Sequence, residues 1–184
     1  MAEIRQLTHE HFDERIALSQ FAFQMKLSPD KIEEARRHYH PEWEYGLFDD
    51  GRLLSKLMLC PFEVWIQGRK LAMGGVAGVA SWPDARRQGG VKRLLLHAFE
   101  SMRRQGQSIS MLAPFSFGFY RKYGYEMTIE RKAYTLETKH LPPSRETPGS
   151  VRMVAKERAA LEPAYGAYAS QFDGTMVRDE EWWG

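Results

Sequence analysis

Ser81-Trp82-Pro83-Asp84-Ala85-Arg86-Arg87-Gln88-Gly89-Gly90-Val91 sets two arginines and two adjacent glycines in the turn between an apolar strand and a helix. The strand is the run Val76 to Ser81. The helix is predicted from Val91, Leu94, Leu95, Ala98, Phe99 and Met102, which recur at three- and four-residue steps. Lys92, His97, Glu100 and Arg103 take its other face, and Gly106 reads as its stop. A helix start offers unpaired backbone N–H groups and the positive end of the macrodipole, so it attracts anions. Glycines let the backbone close on a bulky phosphate, and the arginines add charge. The turn therefore reads as a pyrophosphate cradle. A basic, solvated turn that merely starts a helix is the competing reading.

Two other phosphate loops are set aside on the letters. No Gly-x-x-x-x-Gly-Lys-Ser/Thr run occurs. Gly74-Gly75-Val76-Ala77-Gly78 approaches a dinucleotide fingerprint but lies before or inside the strand rather than after it. What remains is Arg-x-x-Gly-x and a small residue, Arg86 to Val91. This resembles the acetyl-CoA loop of the GNAT N-acetyltransferase superfamily, with Val91 where Gly or Ala is usual. The resemblance implies acetyl-CoA as co-substrate and an α/β (α+β) fold, the GNAT acyl-CoA N-acyltransferase fold, with a mixed twisted sheet and helices on both faces. Arg86, Arg87, Gln88, Gly89, Gly90 and Val91 would then hold the pyrophosphate. It also implies that the strand ending at Ser81 runs parallel to Ser108–Ala113 and splays from it at a bulge. The pantetheine arm would bond to backbone at Val79, Ala80 and Ser81.

Phe119-Tyr120-Arg121-Lys122-Tyr123-Gly124-Tyr125-Glu126 resembles the Phe-Tyr-x-x-x-Gly-Phe/Tyr signature of the same superfamily. Tyr120 matches the tyrosine that sits near the thioester sulfur there. A phenol in that place can protonate the departing thiolate, which is general acid catalysis. A core tyrosine ahead of a turn glycine is the alternative. Tyr123 and Tyr125 read as packing residues.

The chain has 184 residues, enough for one domain with a real core and some left over. A net charge of +2 is too weak to point to nucleic acid, and the Arg86, Arg87, Lys92, Arg93 cluster suits the phosphates of one cofactor. No stretch approaches the roughly 20 apolar residues of a membrane span, and the N-terminus lacks a secretory h-region. Cys60 is the single cysteine, which excludes an internal disulfide and makes a cytoplasmic home the default. It reads as buried filler. His38-Tyr39-His40 with Glu42 and Glu44 fits no zinc spacing and reads as a polar loop, so no metal is expected.

Elsewhere the pattern predicts a strand at Glu3–Leu7 and a helix capped by Thr8, with Phe12, Ile16 and Phe23 on its buried side. A second helix is predicted from Pro29 to about Arg37. Strands follow at Tyr45–Phe48 and Leu53–Leu59, joined by an Asp50-Gly51 turn. A further half-buried strand alternates through Phe62, Val64 and Ile66, with a turn at Gln67-Gly68. A last strand is expected from Ile129 to Leu136. The acceptor pocket is expected between Gln24 and Tyr45, where Asp30, Glu33 and Glu34 read as a solvated helix face.

Residues 139–150 hold three of the nine prolines and read as a linker after an acetyltransferase domain at 1–138. From Val151 the chain echoes its own start, strand then helix to about Ala169, so 151–184 is expected to begin a second GNAT-like domain of a longer protein. Taken together, Pro61-Phe62-Glu63 to Gly68, Gly74 to Val79, Pro114-Phe115 and Gly174 to Trp182 resemble the enhanced intracellular survival (Eis) family. That resemblance implies tandem acetyltransferase-like domains, a hexamer or other homo-oligomer, and acetylation of small-molecule or peptide amines, aminoglycosides among them. It also implies a general base in the terminal carboxylate of the full protein. The function expected is acetyl transfer to a primary amine. A non-catalytic acyl-CoA binding or assembly module is the rival, with the terminal tryptophans as its interface.

Overall fold

The computed structural model describes residues 2–130, 132–143, 148–150, 153 and 158–183. Five strands form one sheet in the order β1-β2-β3-β4-β5: Glu3–Gln6, Glu44–Asp49, Arg52–Ile66, Arg69–Ser81 and Ile109–Leu112. Neighbours are antiparallel up to β4, and β4 and β5 are parallel. Helices α1 (Phe12–Ala22) and α2 (Pro29–Arg37) connect β1 to β2. Helix α3 (Gly90–Arg104) crosses from β4 to β5, and the short α4 (Phe117–Arg121) follows β5.

The hairpin turns come from local chemistry. Asp50 and Gly51 have φ of 46° and 79°, and Gln67 and Gly68 have φ of 49° and 70°. Positive φ at both central residues gives the twist that two-residue hairpins need. β3 and β4 are longer than the alternation predicts. Cys60 and Pro61 do not break β3, because Pro61 is a ladder partner of Gly74 within one continuous strand.

Two cores lie on opposite faces of the sheet. On the α3 face, Leu94, Leu95 and Ala98 pack with Tyr45, Leu47, Leu57, Leu59 and Val76. Leu94 and Leu95 are fully buried, and each such side chain contributes about 1.5–3 kcal/mol. On the α1 face, Leu7, Leu18, Phe48, Leu53 and Ala80 form a second cluster. A side chain four positions along a regular strand returns to the same face, yet Val76 joins one core and Ala80 the other. An extra residue in β4 is the reason. Met58 pairs with Ala77 and Lys56 with Ala80, so three steps on β4 oppose two on β3. Gly78, with φ of 57°, sits in that bulge. A bulge at Leu47/Phe48 likewise sends Leu53 and Leu57 of β3 to different cores.

Several expectations are corrected. Phe23 is 51% exposed, because α1 ends at Ala22 and the chain turns away at Gln24, where φ is 50°. Tyr39 is buried against Phe12 and Ile16 rather than lying in a polar loop. The strand expected at Ile129–Leu136 is absent among its described residues. Ile129, Tyr134 and Leu136 are 58%, 80% and 64% exposed, with no strand among the described residues against them to bury their apolar faces.

The strand expected near Val151–Val154 lies outside the described residues, apart from Met153. Helix α5 (Arg158–Ala169) is present, and α6 (Glu180–Trp183) follows. Between them, 173–177 docks on the tip of the β3–β4 hairpin. Gly174 N donates to Trp65 O, Trp65 N to Thr175 O and Val177 N to Glu63 O, at 2.8 to 2.9 Å. Trp183 packs edge-on to Tyr165, with the Arg178 guanidinium over its ring, while Trp182 meets Phe62. The terminal tryptophans are thus partly used inside the chain.

Candidate acyl-CoA site

Past Val76, β4 has no partner in β5, and Gly78 and Val79 have no register partner in β3. The sheet opens at that point. Ser81 leaves the gap through Pro83–Ala85, a single 3-10 turn, into the loop that starts α3. Arg52 grips Asp84 with two hydrogen bonds of 2.7 and 3.2 Å, and this holds the Asp84 carboxyl below the ordinary carboxylate range. Gln88 Nε2 donates to Asp84 O at 2.7 Å and closes the turn from inside.

The two glycines do different work. Gly89 is the N-cap of α3 at φ 79°, and a Cβ there would meet nothing within 4 Å. Gly90 is buried, and a Cβ there would lie 3.0 Å from Ser55 Oγ and 3.1 Å from Leu47 Cδ2. Gly89 provides the left-handed turn, while Gly90 lets the helix start press against the sheet. Arg87 is also left-handed, with φ of 63°. Such alternation turns successive N–H groups toward one side, an anion-binding concavity. Arg86 and Arg87 are exposed and make no ion pair with a described residue. Free cations beside open helix-start amides fit a pyrophosphate.

A cavity of about 650 Å³ joins these parts. Val79, Ala80, Ser81, Arg86, Arg87, Gly89, Gly90 and Val91 line it, which brings together every expected cofactor residue except Gln88. Lys92, from the basic cluster expected to suit the phosphates, lines it too, and its remaining walls were not anticipated: Ala22 and Phe23 beyond the gap, Ala85 at the loop, and Phe115, Phe119 and Tyr123 around α4. The dense aromatic run Phe115 to Tyr125 carried the signal for the last three, but only the fold shows which rings face the loop.

Tyr120 is not on that wall. It is 4% exposed and lines a second cavity, of about 670 Å³, with β5 residues and Met127 and Ile129. Helix α4 partitions the two, with Phe119 and Tyr123 facing one and Tyr120 the other. Its ring is enclosed by Phe115, Phe119 and Tyr125 at centroid distances of 5.4, 5.1 and 5.9 Å. Burial pushes its phenol pKa above the ordinary value of 10.0, so the O–H is retained at neutral pH. Tyr125 O–H lies 2.6 Å from Ser110 Oγ, which donates to Gly74 O at 3.0 Å and ties β5 to β4 just before they part.

Residues 3–128 match the acetyltransferase (GNAT) domain family. The chain belongs to that family. An uncharacterised N-acetyltransferase of Streptomyces griseus is 24% identical over 150 residues, 75% of this chain and 35% of that protein. The GNAT chain thus spans about a third of the curated relatives it matches. A probable N-acyltransferase of Enterococcus faecalis superimposes on all of it with a TM-score of 0.87 and 28% identity, over 47% of the larger chain. Eis1 of Mycobacterium abscessus does so with a TM-score of 0.74 and 16% identity, over 46% of its length. The mixed open sheet of this GNAT domain is therefore the fold of that group.

Among the described residues no helix is long and apolar enough to cross a membrane. Among the same residues no cluster of three or more His, Cys, Asp or Glu could hold a metal. Cys60 is buried, and burial pushes its thiol up to about 11, which leaves it unreactive at neutral pH.

Proposed function

We propose that this chain holds the acetyl-CoA site of an N-acetyltransferase that passes the acetyl group directly to a primary amine. The observation that carries the reading is the single cavity shared by the bulged end of β4 and the Arg86–Val91 loop. Acetyl-CoA supplies the activated thioester. Loop amides and Arg86 and Arg87 neutralise the pyrophosphate, and backbone N–H groups between Val79 and Ser81 polarise the acyl carbonyl. The acceptor nitrogen forms its bond to carbon as the carbon–sulfur bond breaks. The amine proton leaves to a base or water, and Tyr120 O–H protonates the thiolate. The acceptor is a small-molecule or peptide amine. The whole protein is a longer, Eis-like, homo-oligomeric cytoplasmic enzyme in which 151–184 opens a second domain.

One observation favours a second reading, an acyl-CoA binding module without transfer: Tyr120 lies behind α4 rather than in the loop cavity. Calorimetric titration with acetyl-CoA, followed by an amine screen, separates them. Saturable binding lost on Gly89→Glu, with transfer to an amine, supports the enzyme. Binding with no transfer to any amine, by the full-length protein as well, supports the module. A folded chain and full-length protein that both fail to bind remove both readings.

A further inference from the structure

Behind the bulge, on the α1 face, lies an ion cluster that none of the chemistry above uses. Lys56 and Glu44 are each 1% exposed. Lys56 Nζ donates to Glu44 Oε2 at 3.2 Å and to Gly78 O at 3.4 Å. Arg15, from α1, places Nη2 2.5 Å from Glu44 Oε1. Each buried ion costs several kcal/mol of lost hydration, and well-packed apolar residues commonly fasten a helix to a sheet as well or better. Glu44 already has Arg15 as a counter-ion, so Lys56 is a surplus buried amine, whose pKa burial lowers. Its hydrogen bond beyond Glu44, among the described residues, goes to the carbonyl of the bulge.

That carbonyl belongs to the peptide unit whose N–H is Val79's. The described peptide bonds are trans, and in a planar trans unit C=O and N–H point in opposite directions. Whatever holds Gly78 O toward Lys56 turns the Val79 N–H away from it. Val79 has no register partner in β3 and lies beyond the β4–β5 pairing, on the wall of the loop cavity.

We propose that Lys56 is a positioning residue, which holds the Gly78 carbonyl and so aims the Val79 N–H at the thioester carbonyl of acetyl-CoA. The role rests on the acetyl-CoA reading above. Glu44 and Arg15 fix the Lys56 head in place. Lys56 itself touches neither substrate.

The test is infrared spectroscopy of acetyl-CoA, isotope-labelled at the thioester carbonyl and bound to the whole chain. With the native chain the carbonyl stretch shifts to lower frequency on binding. Lys56→Met loses most of that shift but keeps its affinity for CoA, which the loop supplies. In the full-length enzyme the same change lowers kcat about a hundredfold, the usual loss for one carbonyl-polarising donor. An undiminished shift in folded Lys56→Met overturns the role. If that variant does not fold, Lys56→Leu, which likewise keeps the Glu44–Arg15 pair and removes the donor to Gly78 O, is read the same way. Native chain that binds acetyl-CoA with no shift also overturns it, without any variant. Native chain that fails to bind acetyl-CoA overturns the underlying site instead.

Discussion

Tyr120 and His97 show how burial sets the chemistry of single residues. Tyr120 keeps its proton because desolvation raises its pKa. Tyr120→Phe is expected to lower turnover of the full-length enzyme about a hundredfold or more and to leave the calorimetric affinity for acetyl-CoA intact. Unchanged turnover would make it a core residue of the Phe115–Phe119 cluster and nothing more. His97 lies edge-on to Tyr45, and desolvation, with help from Arg104, lowers its pKa below 6.5. The unfolded chain therefore takes up this proton first as pH falls. The stability owed to neutral His97 is complete above 6.5 and is lost as pH drops through the lower folded value. His97→Gln should flatten that part of the dependence of Tm on pH. At this scale the loop was legible, because arginines and glycines state their chemistry in their letters. The separate duties of Gly89 and Gly90 were not, since a positive φ and a close approach look alike in sequence.

Elements were legible wherever one period ran undisturbed. Helix α3, with its apolar steps and Gly106 stop, is where the spacing put it, as is α2 behind Pro29. β3 was misread as two strands because Pro61 usually ends a strand's interior. Here it lies where β2 has already ended its pairing, which stops at Met58. Phase was invisible too. Alternation along β4 reads straight through Gly78, while the extra residue reverses which core each later side chain serves. The segment 129–136 erred the other way. Its alternation is real, but a strand needs a neighbour, and a periodic sequence cannot name one. The contact between α3 and the sheet gives a direct check. Gly90→Val drives a branched side chain into Ser55 and Leu47 and should cost about 1–3 kcal/mol of stability. The denaturation midpoint measures it, and an unshifted midpoint would show that the helix start can retreat.

The whole molecule joins an acetyltransferase sheet to a C-terminal segment that grips its longest hairpin. Three backbone hydrogen bonds and the isolated Val64–Met176 bridge tie 173–177 to it. Val177→Pro removes the donor to Glu63 O and should weaken the dock by about 0.5–1.5 kcal/mol. Faster amide exchange at Trp65, with acetyl-CoA binding unchanged, is the expected result. A loss of binding would mean that the hairpin tip and the loop cavity communicate. No residue pattern announced this docking, because main-chain pairing leaves little trace in side-chain letters. The bulge in β4 carries a consequence of its own. The candidate acyl-CoA gap opens where one strand changes allegiance between two cores, so it and the fault line of the sheet are the same place. A deletion that healed the fault would give a more regular sheet and close the gap. Changes that favour a regular sheet would therefore close this gap, so stability and the opening pull against each other at one residue.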